Sequence, residues 1–293
     1  MIFKSILKPL KVFRLLGVIT TYVLGTGLVR YVKAIHGGAL ALQGGIFLLS
    51  FVLALDYLRE LQKTSRLNYW SKEATDREIR LIRMGLAIIA ATFLTLDVTL
   101  LLGWIMGGYL WQGLVFLLMV LIVTGFLYYF VEMWEALRPY LILFEALLIV
   151  IIPPALAYYL HAQEFHRLLT MVVLGLVPAY LAYQILDQLV LYGDDPQWEA
   201  RSLVAVMGWE KAMVLHNVLI LTAYVLLAFN ALLGFPWFLI WPVFLTLPIG
   251  LLEVWLMERV RQGQRPLWRV MRFATASVFL IPSYLLSFAF WIR

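Results

Sequence analysis

The chain has no cysteine, so disulfides and Cys-ligated zinc, haem or iron–sulfur clusters are excluded. Four histidines leave little for other metal ligation. Charge is scarce as well: 14% of the 293 residues are charged, where a soluble domain carries about a quarter. No ten-residue alternating segments are present, which argues against a membrane β-barrel. What fills the chain instead is apolar: 63% of residues are hydrophobic, in repeated runs of about 20, long enough to cross a bilayer core. An all-α polytopic membrane protein is expected, with one integral-membrane domain over residues 1–293.

Nine spans are expected, near 13–32, 38–57, 84–106, 109–131, 139–160, 168–191, 211–232, 235–257 and 270–291. The breaks "GG" at 107–108 and "LLGFP" at 232–236 predict tight hairpins. Pro153 and Pro154 fall inside the fifth span and predict a kink, unless neighbours re-satisfy the freed carbonyls. The lead-in "MIFKSILKPLKVFR" reads as a basic interfacial anchor without a cleavage-site pattern.

With the N-terminus placed in the cytoplasm, all of the 23 Lys and Arg residues except Arg30, Lys33, Arg167 and Arg293 fall on the cytoplasmic side. That bias predicts a cytoplasmic N-terminus and a C-terminus on the opposite side of a prokaryotic-type inner membrane. The basic residues flank apolar spans, so the net charge of +6 points to membrane lipids and not to nucleic acid.

The two longest connections follow spans 2 and 6, each after a Leu-Asp pair: "ALDYLREL" at 54–61 and "ILDQLVLY" at 185–192. A four-helix unit repeated in tandem, plus a ninth helix, would place both on one face. On the first, Asp56, Arg59 and Lys63 share a helical face by their i, i+3, i+7 spacing. These features resemble the UbiA superfamily of intramembrane prenyltransferases. Further stretches that carry the resemblance are "LKPLKVFRLLGVITTYVLGTGL", "GDDPQWEARSLVAVMGWEKA" with its run Ser202-Leu203-Val204-Ala205-Val206-Met207-Gly208, and the last hairpin from "LPIGLLEVWLMERVRQGQRPLWRV" onward.

The resemblance implies a UbiA-like bundle and two Asp-rich motifs that hold Mg²⁺, which grips a prenyl diphosphate. Several convergent oxygens are needed to bind such a hard cation and bridge it to phosphate. On the first motif, N-D-x-x-D-x-x-x-D, this chain has Leu55 for the Asn, Asp56 for the first Asp, Arg59 for the second and Lys63 for the third. The three side chains sum to +1 where the family has three carboxylates. Unit charges a few Å apart interact by about 4 kcal/mol even at an effective dielectric near 20, so a divalent ion would be repelled. At the second motif, Asp187, Asp194 and Asp195 are remnant carboxylates out of D-x-x-x-D register. Asp195 followed by Pro196 also suits a helix N-cap with proline at N1. Arg201 falls where the family carries a basic residue near the diphosphate, and Arg59, Lys63 and Arg201 are candidates for direct anion binding.

Within the spans, Asp97, Glu145, His216, Asn217 and Glu253 are candidates either for lining a ligand cavity or for hydrogen bonds between helices. His161, Glu164 and His166 suit a polar interfacial turn better than a metal site, and Thr75 with Glu78 reads as a capping box before span 3. Three functions stay open. The first is a catalytically degenerate UbiA-like protein, binding an isoprenoid lipid, quinone, carotenoid or chlorophyll tail or serving as a structural subunit among other membrane subunits. The second is an active prenyltransferase with Mg²⁺, and the third an unrelated anchor for a quinone-linked oxidoreductase.

Overall fold

The computed structural model describes residues 11–33, 38–64, 76–109, 111–131, 133–134, 136–192 and 202–292. Among these residues there is no strand, and nine helices are long and apolar enough to cross a membrane. They are α1 (Val12–Val32), α2 (Gly38–Thr64), α3 (Asp76–Met106), α4 (Gln112–Phe130), α5 (Arg138–Ala162), α6 (Arg167–Tyr192), α7 (Trp209–Leu232), α8 (Trp237–Arg261) and α9 (Trp268–Ile292). Three run further than hydropathy predicts: α2 continues to Thr64, α3 begins at Asp76 and α8 continues to Arg261. Their polar ends extend the helices past the apolar stretch, because Arg, Glu, Gln and Lys are themselves good helix formers.

The most extensive contacts pair α6 with α7, α2 with α3, α1 with α9 and α1 with the second half of α5. α5 and α6 are central, with 67% of their apolar stretches buried. α3 is peripheral at 17%, resting mainly on α2. Ile88, Val98, Leu102 and Ile105 of α3, and Phe116, Met119 and Ile122 of α4, are exposed and form apolar surface of the kind that meets lipid. The two expected hairpin breaks are present, each closed by a glycine at positive φ: Gly108 at +71° and Gly234 at +91°. α3 and α4 nonetheless part after their turn, α4 packing on α5 and α2. Gly125 of α4 seats Phe51 of α2, and Gly113 seats Tyr159 of α5.

α5 is irregular for a reason written in its sequence. Pro153 and Pro154 have no N–H, so the carbonyls of Ile149 and Val150 lose their α-helical donors. A π-helical turn at Leu147–Ile151 precedes them. The Thr21 hydroxyl of α1 donates to Ile149 O at 2.6 Å, supplying from a neighbouring helix the bond that Pro153 withholds. One turn on, Gly25 brings α1 against the backbone of Pro154.

The run Ser202–Gly208 forms a one-turn helix, Leu203–Met207, ahead of α7. The Ser202 side chain accepts from Ala205 N at 3.1 Å at its start, and Gly208 ends it at φ +83°. Val204 N donates to Gln188 of α6 at 3.4 Å, tying this turn to the end of the sixth span.

Candidate functional site

Five side chains from four helices meet inside the bundle, where α2 and α4 end and α1 and α5 begin. Arg14 lies in the first turn of α1, Asp56 and Arg59 two turns from the end of α2, Tyr128 in the last turn of α4, and Glu145 just before the π-turn of α5. The four ionisable groups are each at most 6% exposed and Tyr128 is fully buried. Arg14 Nη1 pairs with Asp56 Oδ1 and also donates to the Tyr128 hydroxyl at 2.7 Å. Arg59 Nη1 donates to the same hydroxyl and lies 3.6 Å from Glu145 Oε1. The Tyr128 hydroxyl in turn donates to Glu145 Oε1 at 3.0 Å, with Asp56 Oδ1 at 3.4 Å. Both guanidinium carbons lie over the Tyr128 ring, at 4.9 Å for Arg14 and 4.5 Å for Arg59.

Two guanidiniums and two carboxylates cancel, which is how four charges can be taken out of water together: a buried ion must be paired and hydrogen-bonded. Tyr128 is the hub, its one hydroxyl accepting from two arginines and donating to Glu145. Replacing it with Phe keeps the ring and both cation–π contacts while leaving those buried groups short of a partner. Tyr128→Phe is therefore expected to cost about 1–3 kcal/mol, read as a fall in the thermal midpoint in detergent. A change under about 0.5 kcal/mol would mean that the hydroxyl is not the hub.

The Mg²⁺ that the family resemblance implies does not fit the first motif. Asp56, its surviving carboxylate, faces the Arg14 guanidinium, and the position of the second Asp carries Arg59, directed at Tyr128 and Glu145. The residues here give a cation no cluster of free oxygens. Among the described residues, no three His, Asp or Glu side chains group as a metal ion would need. Asp194, Asp195 and Arg201 of the second motif, and Thr75, lie outside the described residues.

The remaining candidates lie apart from this network. Lys63 is half-buried near the end of α2. Asp187 pairs with Arg272 of α9 at 2.7 Å, a partly exposed bridge between α6 and α9. Asp97 of α3 accepts from Ser50 of α2, a hydrogen bond between the two helices. His216 of α7 and Glu253 of α8 are both fully buried, with Nε2 to Oε1 at 3.7 Å, and His216 Nδ1 lies 3.3 Å from Asn217 Oδ1. At the other end of the bundle Glu164 pairs with Lys33 at 2.9 Å, and His166 Nδ1 accepts from Leu168 N at 3.2 Å, capping α6.

Of the sequence candidates, the structure brings together Asp56, Arg59 and Glu145 and, in a separate place, His216, Asn217 and Glu253; to the first group it adds Arg14 and Tyr128, which sequence reasoning passed over. One signal was available. Asp56 and Glu145 lie near span ends on the same side of the bundle and both demand cations, and Arg14 sits just inside an apolar run on that side. No model of a known protein family matches the chain, and no curated protein matches it.

Proposed function

We propose that this chain is a UbiA-like membrane protein whose first Asp-rich motif has been converted into a structural ion network. In this reading it is catalytically degenerate and serves as an isoprenoid-, quinone- or pigment-tail-binding protein or as a structural subunit of a larger membrane assembly. The observation that carries the reading is the capture of Asp56 by Arg14. The carboxylate expected to hold Mg²⁺ is spent on a buried guanidinium, and the next motif position is a second guanidinium paired with Glu145. Metal-assisted ionisation of a diphosphate would lose its Lewis acid there.

The pairing of helices agrees with a tandem four-helix unit in one respect. α2 with α3 and α6 with α7, which would be equivalent in two such repeats, are both among the most extensive contacts. The exposed apolar faces of α3 and α4 are where lipid or other membrane subunits would pack. Placed by its basic residues, the ion network would sit near the cytoplasmic surface.

The test is direct. Protein purified in mild detergent is extracted with organic solvent and the extract analysed by mass spectrometry, alongside an assay with Mg²⁺, a prenyl diphosphate and aromatic acceptors. Co-purifying isoprenoid lipid and no prenyl transfer are expected. Turnover that Asp56→Asn abolishes would overturn the degenerate reading.

A further inference from the structure

Where α8 ends and α9 begins, the chain gathers arginine. Between residues 258 and 272 there are five arginines, no lysine and one acid, Glu258. Met257, Val260 and Met271 pack in one buried cluster and hold the two helix ends together. The chain reverses at Gly263, φ +89°, where Gly263 N donates to Val260 O at 2.9 Å and Gln264 N to Arg259 O at 3.0 Å. That turn returns the chain toward the end of α8 just before Arg265, and Arg269 follows in the first turn of α9.

The acids within reach are already engaged. Glu258 holds Arg261 with both oxygens, at 2.7 and 2.8 Å, and Glu210 of α7 acts on the same guanidinium. Asp187 holds Arg272 at 2.7 Å. Arg259, Arg265 and Arg269 are exposed, and among the described residues none of them has an ion-pair partner. The positive-inside tendency accounts for cations at this end of the bundle but not for their isolation. At the start of α3, on the same end, Arg77, Arg80 and Arg83 are also exposed, yet they are interleaved with Asp76 and Glu78.

Below the unpaired cations the surface is apolar. One turn into α8 from Arg259, Trp255 is 52% exposed and carries the Arg259 guanidinium carbon 4.4 Å from its ring centre. One turn into α9 from Arg269, Phe273 is 78% exposed. Leu252 and Val270, exposed as well, extend the two faces. Cations at the rim of two neighbouring helices, each above an exposed aromatic, match a molecule with an anion at the interface and hydrocarbon beneath it. Free guanidinium forks suit phosphate oxygens in particular. An acidic protein would meet the arginines but not the faces below them.

We infer that the α8–α9 hairpin is a binding site for an anionic phospholipid. Arg259, Arg265 and Arg269 take the headgroup phosphate, and the faces at Trp255 and Phe273 take the acyl chains. The site is separate from the Arg14–Asp56 network and does not depend on what the interior of the bundle binds.

The experiment follows a fluorescently labelled phosphatidylglycerol on the full chain in detergent micelles. Its competitors are phosphatidylglycerol, phosphatidylcholine of the same acyl chains, and glycerol phosphate. Each arginine near a headgroup is worth about fivefold in affinity at low salt, so the wild type is expected to prefer phosphatidylglycerol over phosphatidylcholine by about tenfold or more. The preference is expected to shrink in high salt. The triple variant Arg259→Gln, Arg265→Gln, Arg269→Gln is expected to lose it, whereas Arg77→Gln, Arg80→Gln, Arg83→Gln, which removes the same charge elsewhere, keeps it. Four results overturn the site: no preference in the wild type, which would leave the arginines to an acidic protein; a preference that survives the hairpin variant; an equal loss in both variants, which would make total charge the cause; or competition by glycerol phosphate as strong as by the lipid. Thermal midpoints in phosphatidylcholine micelles report folding. If the triple variant fails that check, Arg265→Gln alone, a change in the exposed turn, is expected to cost about fivefold in phosphatidylglycerol affinity, and no change would overturn the site.

Discussion

Asp56→Ala is expected to destabilise the protein by about 3–5 kcal/mol, the range for removing one partner of a buried ion pair. The loss is not the worth of the contact itself. It is the penalty of leaving the Arg14 guanidinium, 2% exposed, with no anion directly against it, since Glu145 lies 4.0 Å away and already serves Arg59 and Tyr128. The double variant Arg14→Met with Asp56→Leu removes both charges and is expected to recover most of the loss, because apolar replacement of a buried pair is commonly neutral or stabilising. Thermal unfolding of the wild type, Arg14→Met, Asp56→Leu and the double variant closes the cycle, and the coupling between positions 14 and 56 is expected to exceed about 2 kcal/mol. The sign separates two roles. A carboxylate crowded among other acids as a metal ligand repels its neighbours when the metal is absent, so its removal in metal-free buffer would be neutral or stabilising. A stability change near zero for Asp56→Ala in metal-free buffer would therefore return Asp56 to the ligand role.

The spans were legible because a bilayer imposes a length and a polarity on each one, and nine runs meet both requirements without knowledge of any contact. Their pairing was not. Nothing in the composition of α3 says that it leans on α2 and parts from α4 after a two-glycine turn, since the apolar faces of all three look alike to hydropathy. Within the site, Asp56 and Arg59 were visible as neighbours on one turn, and Glu145 as a costly intramembrane acid. Arg14 was hidden by its setting: the last residue of "KPLKVFR" reads as one more interfacial cation, and its partners Asp56 and Tyr128 are 42 and 114 residues away. Tyr128 was hidden by abundance, one of 15 tyrosines in a protein type that places many at the membrane surface. The charge inversion at Arg59 was visible along α2 itself. Its cause, a counter-charge supplied by α5, is a tertiary fact that spacing along α2 does not carry.

The packing of α1 on α5 holds this site in place, and it predicts a glycine-to-alanine substitution with the opposite of its usual sign. Inside a helix Ala is worth about 1 kcal/mol over Gly. At Gly103 of α3, where an added Cβ would meet nothing within 4 Å, Gly103→Ala is expected to stabilise the protein by up to that amount. At Gly25 the same methyl would collide with the carbonyl oxygen of Pro154 and come within 2.7 Å of its Cα and 2.8 Å of Ala157 Cβ. Two of those three obstacles are backbone, which no rotamer change can move, so α1 must withdraw. Arg14, Val18, Thr21 and Gly25 follow one another at intervals of four, three and four residues along one face of α1, and all are buried. Withdrawal therefore lengthens the Thr21 hydrogen bond to Ile149 O, re-exposing the carbonyl that Pro153 leaves bare, and it strains the pairing of Arg14 with Asp56 three turns away. Overpacking of about 1–3 kcal/mol and an orphaned carbonyl of about 1–3 kcal/mol together outweigh the gain in helix propensity. Gly25→Ala is expected to destabilise the protein by a net of about 1–5 kcal/mol, read as a fall in the thermal midpoint, and Gly25→Leu to give no folded protein. Thr21→Val, which removes the hydroxyl without changing shape, isolates the carbonyl's share. Parallel melting curves of Gly25→Ala and Gly103→Ala decide the matter: shifts of the same sign would mean that α1 does not approach α5 as closely as its small residues allow, and that the ion network is held by something other than this contact.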